Sequence, residues 1–385
     1  MRRRTTAALA ASTLLAAGAA TAAAGRLARG RRAEPGGTFP AGFAGARLTV
    51  HATAAGQVTL TRSLDSLRPG RYGLTSPGCH AVVGDLLDVP TGADTVVRRL
   101  EHVSRGALTP GAAVTLTPQL HEGGPHQALG LDAADVEISS ERGPLPGWFV
   151  PGPRDTWIIA LHGLGATREH PLNVLPLYHR LRFSALIPAY RADPSVTAGL
   201  GPDDWLDADA ALRYAVRHGA RRVVLHGWSS GAALALHTAS RSPLRGRIAG
   251  LVLDSPVLDP PATLRALGVR RGAVRPLARL LPPLRRDRGG AYPAGPAPDP
   301  AQPVARPAAD PPARPGGPKD APFPVLLLHG PGDCVASFDA SREFAARRPD
   351  AVVLHTVPDA EHAAMWNAAP QEYEETLRRF LTPLM

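Results

Sequence analysis

Three side chains in this sequence have the types and settings to carry out acyl transfer. Ser229 lies in Leu225-His226-Gly227-Trp228-Ser229-Ser230-Gly231, a G-x-S-x-G arrangement that follows an apolar run and opens a helical one. A serine forced into so tight a strand-to-helix turn projects its hydroxyl above the sheet. Gly227 and Gly231 are required there because a Cβ at either position would clash where strand and helix approach. A serine hydroxyl is a poor nucleophile until a base takes its proton, and the base needs an acid to orient it. His362, in the turn-forming stretch Pro358-Asp359-Ala360-Glu361-His362, is the candidate base. Asp333, at the end of Val325-Leu326-Leu327-Leu328-His329-Gly330-Pro331-Gly332-Asp333, is the candidate acid. Asp254 and Asp259, after the preceding strand, compete for that role, and the plain alternatives are turn chemistry for Asp333 and a surface loop position for His362.

The elements that must hold these residues can be read from hydrophobic periodicity. From about Leu48 to Leu120, short alternating runs such as Leu48-Thr49-Val50 and Gln57-Val58-Thr59-Leu60-Thr61, broken by Gly and Pro, predict a small β-rich unit. From about Asp135 onward strands alternate with helical patterns, which argues for βαβ units around a mostly parallel sheet flanked by helices. Val136–Ser139 and Gly147–Val150 read as an opening hairpin, and Trp157–Leu161, Ser184–Pro188, Arg222–Leu225, Ile248–Leu253, Val325–Leu328 and Ala351–Val357 as later strands. Pro202–His218 and Gly231–Ser240 carry helical patterns. Between two of the strands, Pro261–Leu281 reads as an arginine-bearing helix (Arg265, Arg270, Arg271, Arg275, Arg279), and Pro282–Asp320, with 12 prolines in 39 residues, reads as disordered. Such an insertion is a place for a lid over a site, or equally a surface helix with a tolerated linker.

With these elements in hand, the chain from about Asp135 to Leu381 resembles the α/β-hydrolase superfamily, near its serine aminopeptidase, monoglyceride-lipase-like and prolyl-oligopeptidase-like branches. The shared marks occur in order: Pro146-Gly147-Trp148-Phe149-Val150, His162-Gly163, Tyr190-Arg191, Gly227 to Gly231, His329-Gly330 with Asp333, and Glu361-His362. The order Ser, Asp, His is the one such enzymes use. The resemblance implies two backbone N–H groups for the oxyanion, those of Ser230, after the nucleophile, and Leu164, in His162-Gly163-Leu164-Gly165 after the third strand. His162 itself is expected to tie down the loop. Relatives often carry a second glycine where this chain has Ala232 and a methionine-like residue where it has Ser230. Neither change removes a backbone donor. The N-terminal β-rich unit lies outside the resemblance.

Composition narrows the partners. The net charge of +10 is nearly all arginine, Lys319 being the only lysine, and it is scattered through Ala- and Pro-rich sequence without interleaved aromatics. No nucleic-acid partner is expected. Cys79 and Cys334 form neither a disulfide framework nor a CxxC pair, and the histidines show no metal-ligand spacing, so no metal or cofactor is expected. Arg2, Arg3 and Arg4 before the uncharged stretch Thr5 to Gly25 have the layout of a secretory leader, cleavable after Ala22 or Ala24, or of an uncut membrane anchor. Arg26, Arg29, Arg31 and Arg32 work against translocation and keep a cytoplasmic leader open.

The expected organisation is therefore a signal-like or anchor segment at 1–33, a β-rich accessory domain at 45–132 and an α/β-hydrolase catalytic domain at 134–385 with an insertion at 256–321. The expected protein is an extracytoplasmic, secreted or membrane-anchored serine hydrolase, acting on a small-molecule ester of lipid or acyl type. A serine peptidase is the first alternative; it needs a grip for an α-amine, and Asp203, Asp204, Asp207 and Asp209 could offer one, although on a helix they read as a solvated N-terminal face. A catalytically silent binding protein of the same fold is the second.

Overall fold

Alternation of apolar and polar residues in the N-terminal third builds strands with one buried face. These are β1 (Leu48–Ala54), β2 (Gln57–Thr61), β3 (Tyr72–Ser76), β4 (Cys79–Leu87), β5 (Thr95–Arg105) and β6 (Ala113–Thr117). In the computed structural model, which describes residues 40–43, 47–190, 203–270 and 323–385, they close into an antiparallel barrel of order β1-β2-β5-β4-β3-β6. Closure pairs every strand edge and puts Val50, Leu60, Leu74, Val83, Val96 and Leu116 into one core. The alternation predicted strands, and the pairing of β1 with β6 makes them a barrel. Arg98 is also fully buried, and all its N–H directions are used: Nε and Nη2 donate to Gly84 O at 2.9 and 2.7 Å, Nη1 to Ser66 O and Arg68 O at 3.1 and 2.6 Å, and Nη2 also to Gly70 O at 2.6 Å. This arginine pins the β2–β3 loop from within the barrel.

After a short helix α1 (Pro125–Leu129), the chain forms an eight-stranded sheet from β7 (Ala134–Ile138), β8 (Leu145–Val150), β9 (Thr156–Leu161), β10 (Ser184–Pro188), β11 (Arg222–Trp228), β12 (Ile248–Asp254), β13 (Val325–His329) and β14 (Val352–Thr356). The order is β14-β13-β12-β11-β9-β10-β8-β7; β7 and β8 pair antiparallel, β8 joins β10 antiparallel, and the rest are parallel. The central strands read as continuous apolar runs because both faces are covered. On one face, Ile158, Val224, Val252 and Leu326 pack with α2 (Leu175–Arg180) and α8 (Pro370–Leu381). On the other, Ile159, Leu225, Leu251 and Leu327 pack with α3 (Trp205–Arg217) and α4 (Ser230–Arg241). Three further helices are α5 (Pro260–Arg270), α6 (Phe338–Ala346) and α7 (Met365–Ala368).

One expectation needs correcting. The acidic start of α3 is not a solvated face: Asp204, Asp207 and Asp209 are buried, and only Asp203 is exposed. Asp204 pairs with Arg142 at 2.9 Å, and Asp207 accepts from Ser140 Oγ at 2.8 Å. Asp209 pairs with Arg213 at 2.6 Å and accepts from Ser242 Oγ at 2.5 Å. Opposite charge and hydroxyl donors brought in by the β7–β8 turn and the end of α4 make this burial tolerable.

The helix expected at Pro261–Leu281 is present as α5 up to Arg270. The leader at 1–33 and the proline-rich stretch at 282–320 lie outside the described residues. Among those described, no helix is long and apolar enough to cross a membrane.

Candidate active site

Strand β11 ends on Trp228, and α4 starts at Ser230, so Ser229 must reverse the chain by itself. It does so at φ 54° and ψ −117°, a left-handed conformation that costs a non-glycine residue on the order of 1–3 kcal/mol. The neighbours show why glycine flanks it. A Cβ on Gly227 would stand 2.4 Å from the carbonyl carbon of Gly231, and one on Gly231 would stand 2.2 Å from Leu161 O. The turn is further held by Ser229 N–H donating to Asp254 O at 2.8 Å.

His362 follows β14 in a loop with positive φ at Asp359 (58°) and Ala363 (52°). Its Nε2 lies 2.6 Å from Ser229 Oγ and its Nδ1 lies 2.7 Å from Asp333 Oδ2. The structure thus brings together Ser229, His362 and Asp333, residues read from three separate stretches of sequence. Asp333 is saturated with donors. His329 Nε2 reaches the same Oδ2 at 3.0 Å, and the N–H groups of Val335 and Ala336 both donate to Oδ1 at 2.8 Å. His329 Nδ1 in turn lies 2.7 Å from Ser341 Oγ in α6, which sets its tautomer by letting the hydroxyl donate to Nδ1 and Nε2–H donate to Asp333. Burial pushes the Asp333 carboxyl up, but the facing His362 charge and the hydrogen bonds from His329 and His362 outweigh it and hold Asp333 below the usual carboxylate range. An ionised Asp333 fixes the His362 proton on Nδ1 and turns the Nε2 lone pair to the serine. His329 entered the sequence reading only as a family mark. Its contact with the Asp333 carboxyl was not read, although its position at the end of an apolar run four residues before Asp333 was a usable signal.

The competing acids are placed otherwise. Asp254 is fully buried and accepts from Ser255 Oγ at 3.1 Å, and burial pushes its carboxyl up to about 7. Asp259 caps α5, its Oδ1 accepting from Ala262 N–H at 2.9 Å.

The loop after β9 presses on Ser229. A Cβ on Gly163 would lie 2.9 Å from Ser229 Cβ, and Leu164 is 6% exposed beside it. Tyr190 OH donates to His162 O, and the two rings stack at 4.2 Å, tying that loop to β10. Burial lowers His162 to about 4, so the ring is neutral near pH 7. Ser230 opens α4, in the first turn whose N–H groups lack intrahelical partners and face the positive end of the helix dipole.

Ser229 is only 1% exposed and His362 is fully buried. Ala41, Leu164, Leu267 and Val335 form a small apolar cluster with Cys334 packed against it, and Gly42 and Gly163, next to two of its members, adjoin His362 and Ser229. Among the described residues no group of His, Cys, Asp and Glu could hold a metal ion.

A family model described as the alpha/beta hydrolase family matches residues 158–376, more than half of the 385-residue chain. The chain belongs to the α/β-hydrolase family. It is an enzyme, a hydrolase, and its substrate is a small molecule. Residues 49–117 of this hydrolase, the barrel, match a second model described as a domain of unknown function. Among solved structures, the hydrolase is similar to the esterase Pf2001 of Pyrococcus furiosus. In one crystal form it shares 20% identity over 69% of this chain and 98% of that one, with a TM-score of 0.51. In another it shares 21% identity over 69% and 95%, also with a TM-score of 0.51. At this identity the likeness shows the fold. No curated protein matches the sequence.

Proposed function

We propose that the hydrolase cleaves carboxylic esters through an acyl-enzyme, with Ser229 as nucleophile, His362 as base and Asp333 as the orienting acid. The observation that carries this reading is the unbroken line from Ser229 Oγ to His362 Nε2 (2.6 Å) and from Nδ1 to the buried, donor-saturated Asp333 (2.7 Å). In the first half-reaction Oγ attacks the ester carbonyl as its proton passes to Nε2. The resulting oxyanion would be received by the N–H groups of Leu164 and Ser230. His362 then returns the proton to the departing alcohol oxygen, leaving acyl-Ser229. In the second half-reaction His362 takes a proton from water, which attacks the acyl carbonyl, and the acid leaves as Oγ recovers its proton.

Two features favour an ester with an apolar acyl group. Ala41, Leu164 and Val335, on segments that adjoin Ser229 and His362, cluster with Leu267, and an apolar acyl chain can replace their mutual contacts. Of the aspartates that could have gripped an α-amine, as a peptidase would need, Asp204, Asp207 and Asp209 are engaged with Arg142, Arg213 and two hydroxyls.

The test is labelling of the full chain with a fluorophosphonate, followed by turnover of p-nitrophenyl esters of rising chain length and of aminoacyl anilides. Labelled wild type, unlabelled Ser229→Ala and turnover of esters alone are expected. Equal labelling of Ser229→Ala would remove the nucleophile assignment, and faster turnover of the anilides would make the enzyme a peptidase.

A further inference from the structure

The loop that carries His362 is held by the barrel as well as by its own sheet. Ala364, two residues beyond the histidine, belongs to the barrel's core cluster with Phe43, Tyr72 and Leu108. The next helix is fastened the same way: Arg71 N–H donates to Asn367 O at 2.9 Å, and Asn367 Nδ2 donates to Arg71 O at 2.8 Å and to Pro118 O at 2.9 Å. The fit leaves no slack, since a Cβ on Gly70 would stand 2.0 Å from Asn367 O. From the other side, the segment leading into the barrel runs over the site. Ala41 N–H donates to Leu164 O at 2.9 Å, and a Cβ on Gly42 would stand 3.1 Å from His362 Cβ.

At the centre of these contacts is Arg68. Its guanidinium pairs with Asp65 at 2.6 Å, lies 4.5 Å over the Phe43 ring and reaches Glu361 at 3.5 Å. Glu361 is the residue before His362, and its Oε2 lies 3.2 Å from Sγ of Cys334, the residue after Asp333. Arg68 is itself anchored, because its carbonyl accepts from the buried Arg98 at 2.6 Å. A charge fixed from below in the barrel therefore meets a carboxylate that joins the Asp333 loop to the His362 loop. With Arg68 9% and Glu361 26% exposed, this attraction is screened less than at an open surface.

We propose that the barrel is a working part of the catalytic apparatus, with Arg68 as a positioning residue that fixes the His362 loop through Glu361. The proposal rests on the reading of Ser229 and His362 as nucleophile and base. It gives the barrel a role in the first chemical step: keeping Nε2 within proton-transfer reach of Ser229 Oγ. Misplacement of a reacting group by about 1 Å can cost on the order of 10²-fold in rate. Since Arg68 acts through Glu361 and not on substrate, its loss should appear in kcat and spare KM.

The experiment uses the full chain as wild type, Arg68→Ala, Arg68→Lys and Glu361→Gln. It measures kcat and KM on a short p-nitrophenyl ester, fluorophosphonate labelling rates and thermal melting. Arg68→Ala is expected to lower kcat and the labelling rate by about 10-fold to 10²-fold with KM within about twofold. Arg68→Lys should recover part of the loss, because it keeps a cation facing Glu361. A folded Arg68→Ala with wild-type kcat overturns the proposal, and so does Arg68→Lys as impaired as Arg68→Ala, which would assign the effect to packing on Phe43. Should Arg68→Ala not fold, Glu361→Gln decides: the same loss in kcat is expected, and an unchanged kcat overturns the proposal. Failure of wild type to be labelled would instead defeat the underlying reading of Ser229 and His362, so the two failures are distinguishable.

Discussion

Replacing Asp333 by Asn tests the assignment of the acid, because no orientation of the amide satisfies its surroundings. The carboxylate accepts from four donors: Val335 and Ala336 N–H on Oδ1, His362 Nδ1 and His329 Nε2 on Oδ2. If the oxygen of the introduced amide takes the two backbone N–H groups, its NH2 faces both imidazoles. His362 must then accept at Nδ1 and carry its proton on Nε2, toward Ser229 Oγ, where it can no longer act as a base. In the opposite orientation the NH2 opposes two backbone donors 2.8 Å away, and at least one buried N–H loses its partner, at roughly 1–3 kcal/mol. The first arrangement avoids that cost and disarms the base. A wrong tautomer in a triad lowers kcat by about 10⁴, equivalent to roughly 5 kcal/mol of transition-state stabilisation. The assay is kcat on a p-nitrophenyl ester, with Asp254→Asn measured beside it. Asp333→Asn within tenfold of wild type, with Asp254→Asn down by thousands, would refute the reasoning and move the acid to β12.

Asp254 should instead appear in the pH dependence of stability. Its folded value of about 7 lies above its ordinary 3.8, so its contribution is fully present below about pH 4 and is lost as pH rises toward 7. The loss is roughly 4 kcal/mol, and urea denaturation at pH 4, 6 and 8 should show this slope flattened in Asp254→Asn; an identical slope in both proteins would contradict the assignment. Gly231→Ala puts a methyl 2.2 Å from Leu161 O and 2.5 Å from His162 O, both backbone atoms that cannot yield cheaply. It should cost about 1–3 kcal/mol in denaturant unfolding and slow fluorophosphonate labelling, and wild-type behaviour in both would show the turn to be looser than described. Leu267→Ala removes a leucine from the apolar cluster that includes Leu164 and should loosen the segment beside Ser229, raising the labelling rate by up to about 10-fold for a loss of roughly 1.4 kcal/mol of contact. An unchanged rate would mean that this cluster does not limit entry.

How much of this was legible follows from how far each contact reaches along the chain. Ser229, Asp333 and His362 could be picked out because each follows an apolar strand in a short turn, so local sequence carries both the residue and its setting. The sheet was legible for the same reason, its strands being continuous apolar runs. What local sequence does not carry is which distant element arrives at a given residue. The Asp204, Asp207 and Asp209 start of α3 reads as a solvated helix end until Arg142, more than sixty residues earlier, is seen to cover two of the three. The strands β1 to β6 were readable, but their closure depends on Leu48 meeting Val114. The contacts of Ala41, Gly42 and Arg68 with the Leu164 and His362 loops span about 120 to 320 residues of sequence, and no motif marks them.

The distribution of backbone strain gives those long-range contacts a physical purpose. Among the described residues five non-glycine residues have positive φ, and four of them, Ser229, Ser255, Asp359 and Ala363, lie in the Ser229 turn, the end of β12 and the His362 loop. At about 1–3 kcal/mol each, their combined strain is comparable with the net stability of a typical domain, so it persists only where neighbours over-determine the backbone. Part of the restraint is internal to the sheet domain: Ser229 N–H is held by Asp254 O, and Ser255 Oγ receives Ala363 N–H at 2.9 Å. That bond couples two strained residues to each other and so cannot anchor either of them independently. On the histidine side Ala360 and Ala363 pack in the sheet's core, and the barrel adds an anchor through Ala364 in its own core, Asn367 against its β2–β3 loop and Glu361 against Arg68. Removing the barrel would therefore release the His362 loop toward an unstrained backbone, even with Ser229, Asp333 and His362 still present in the chain.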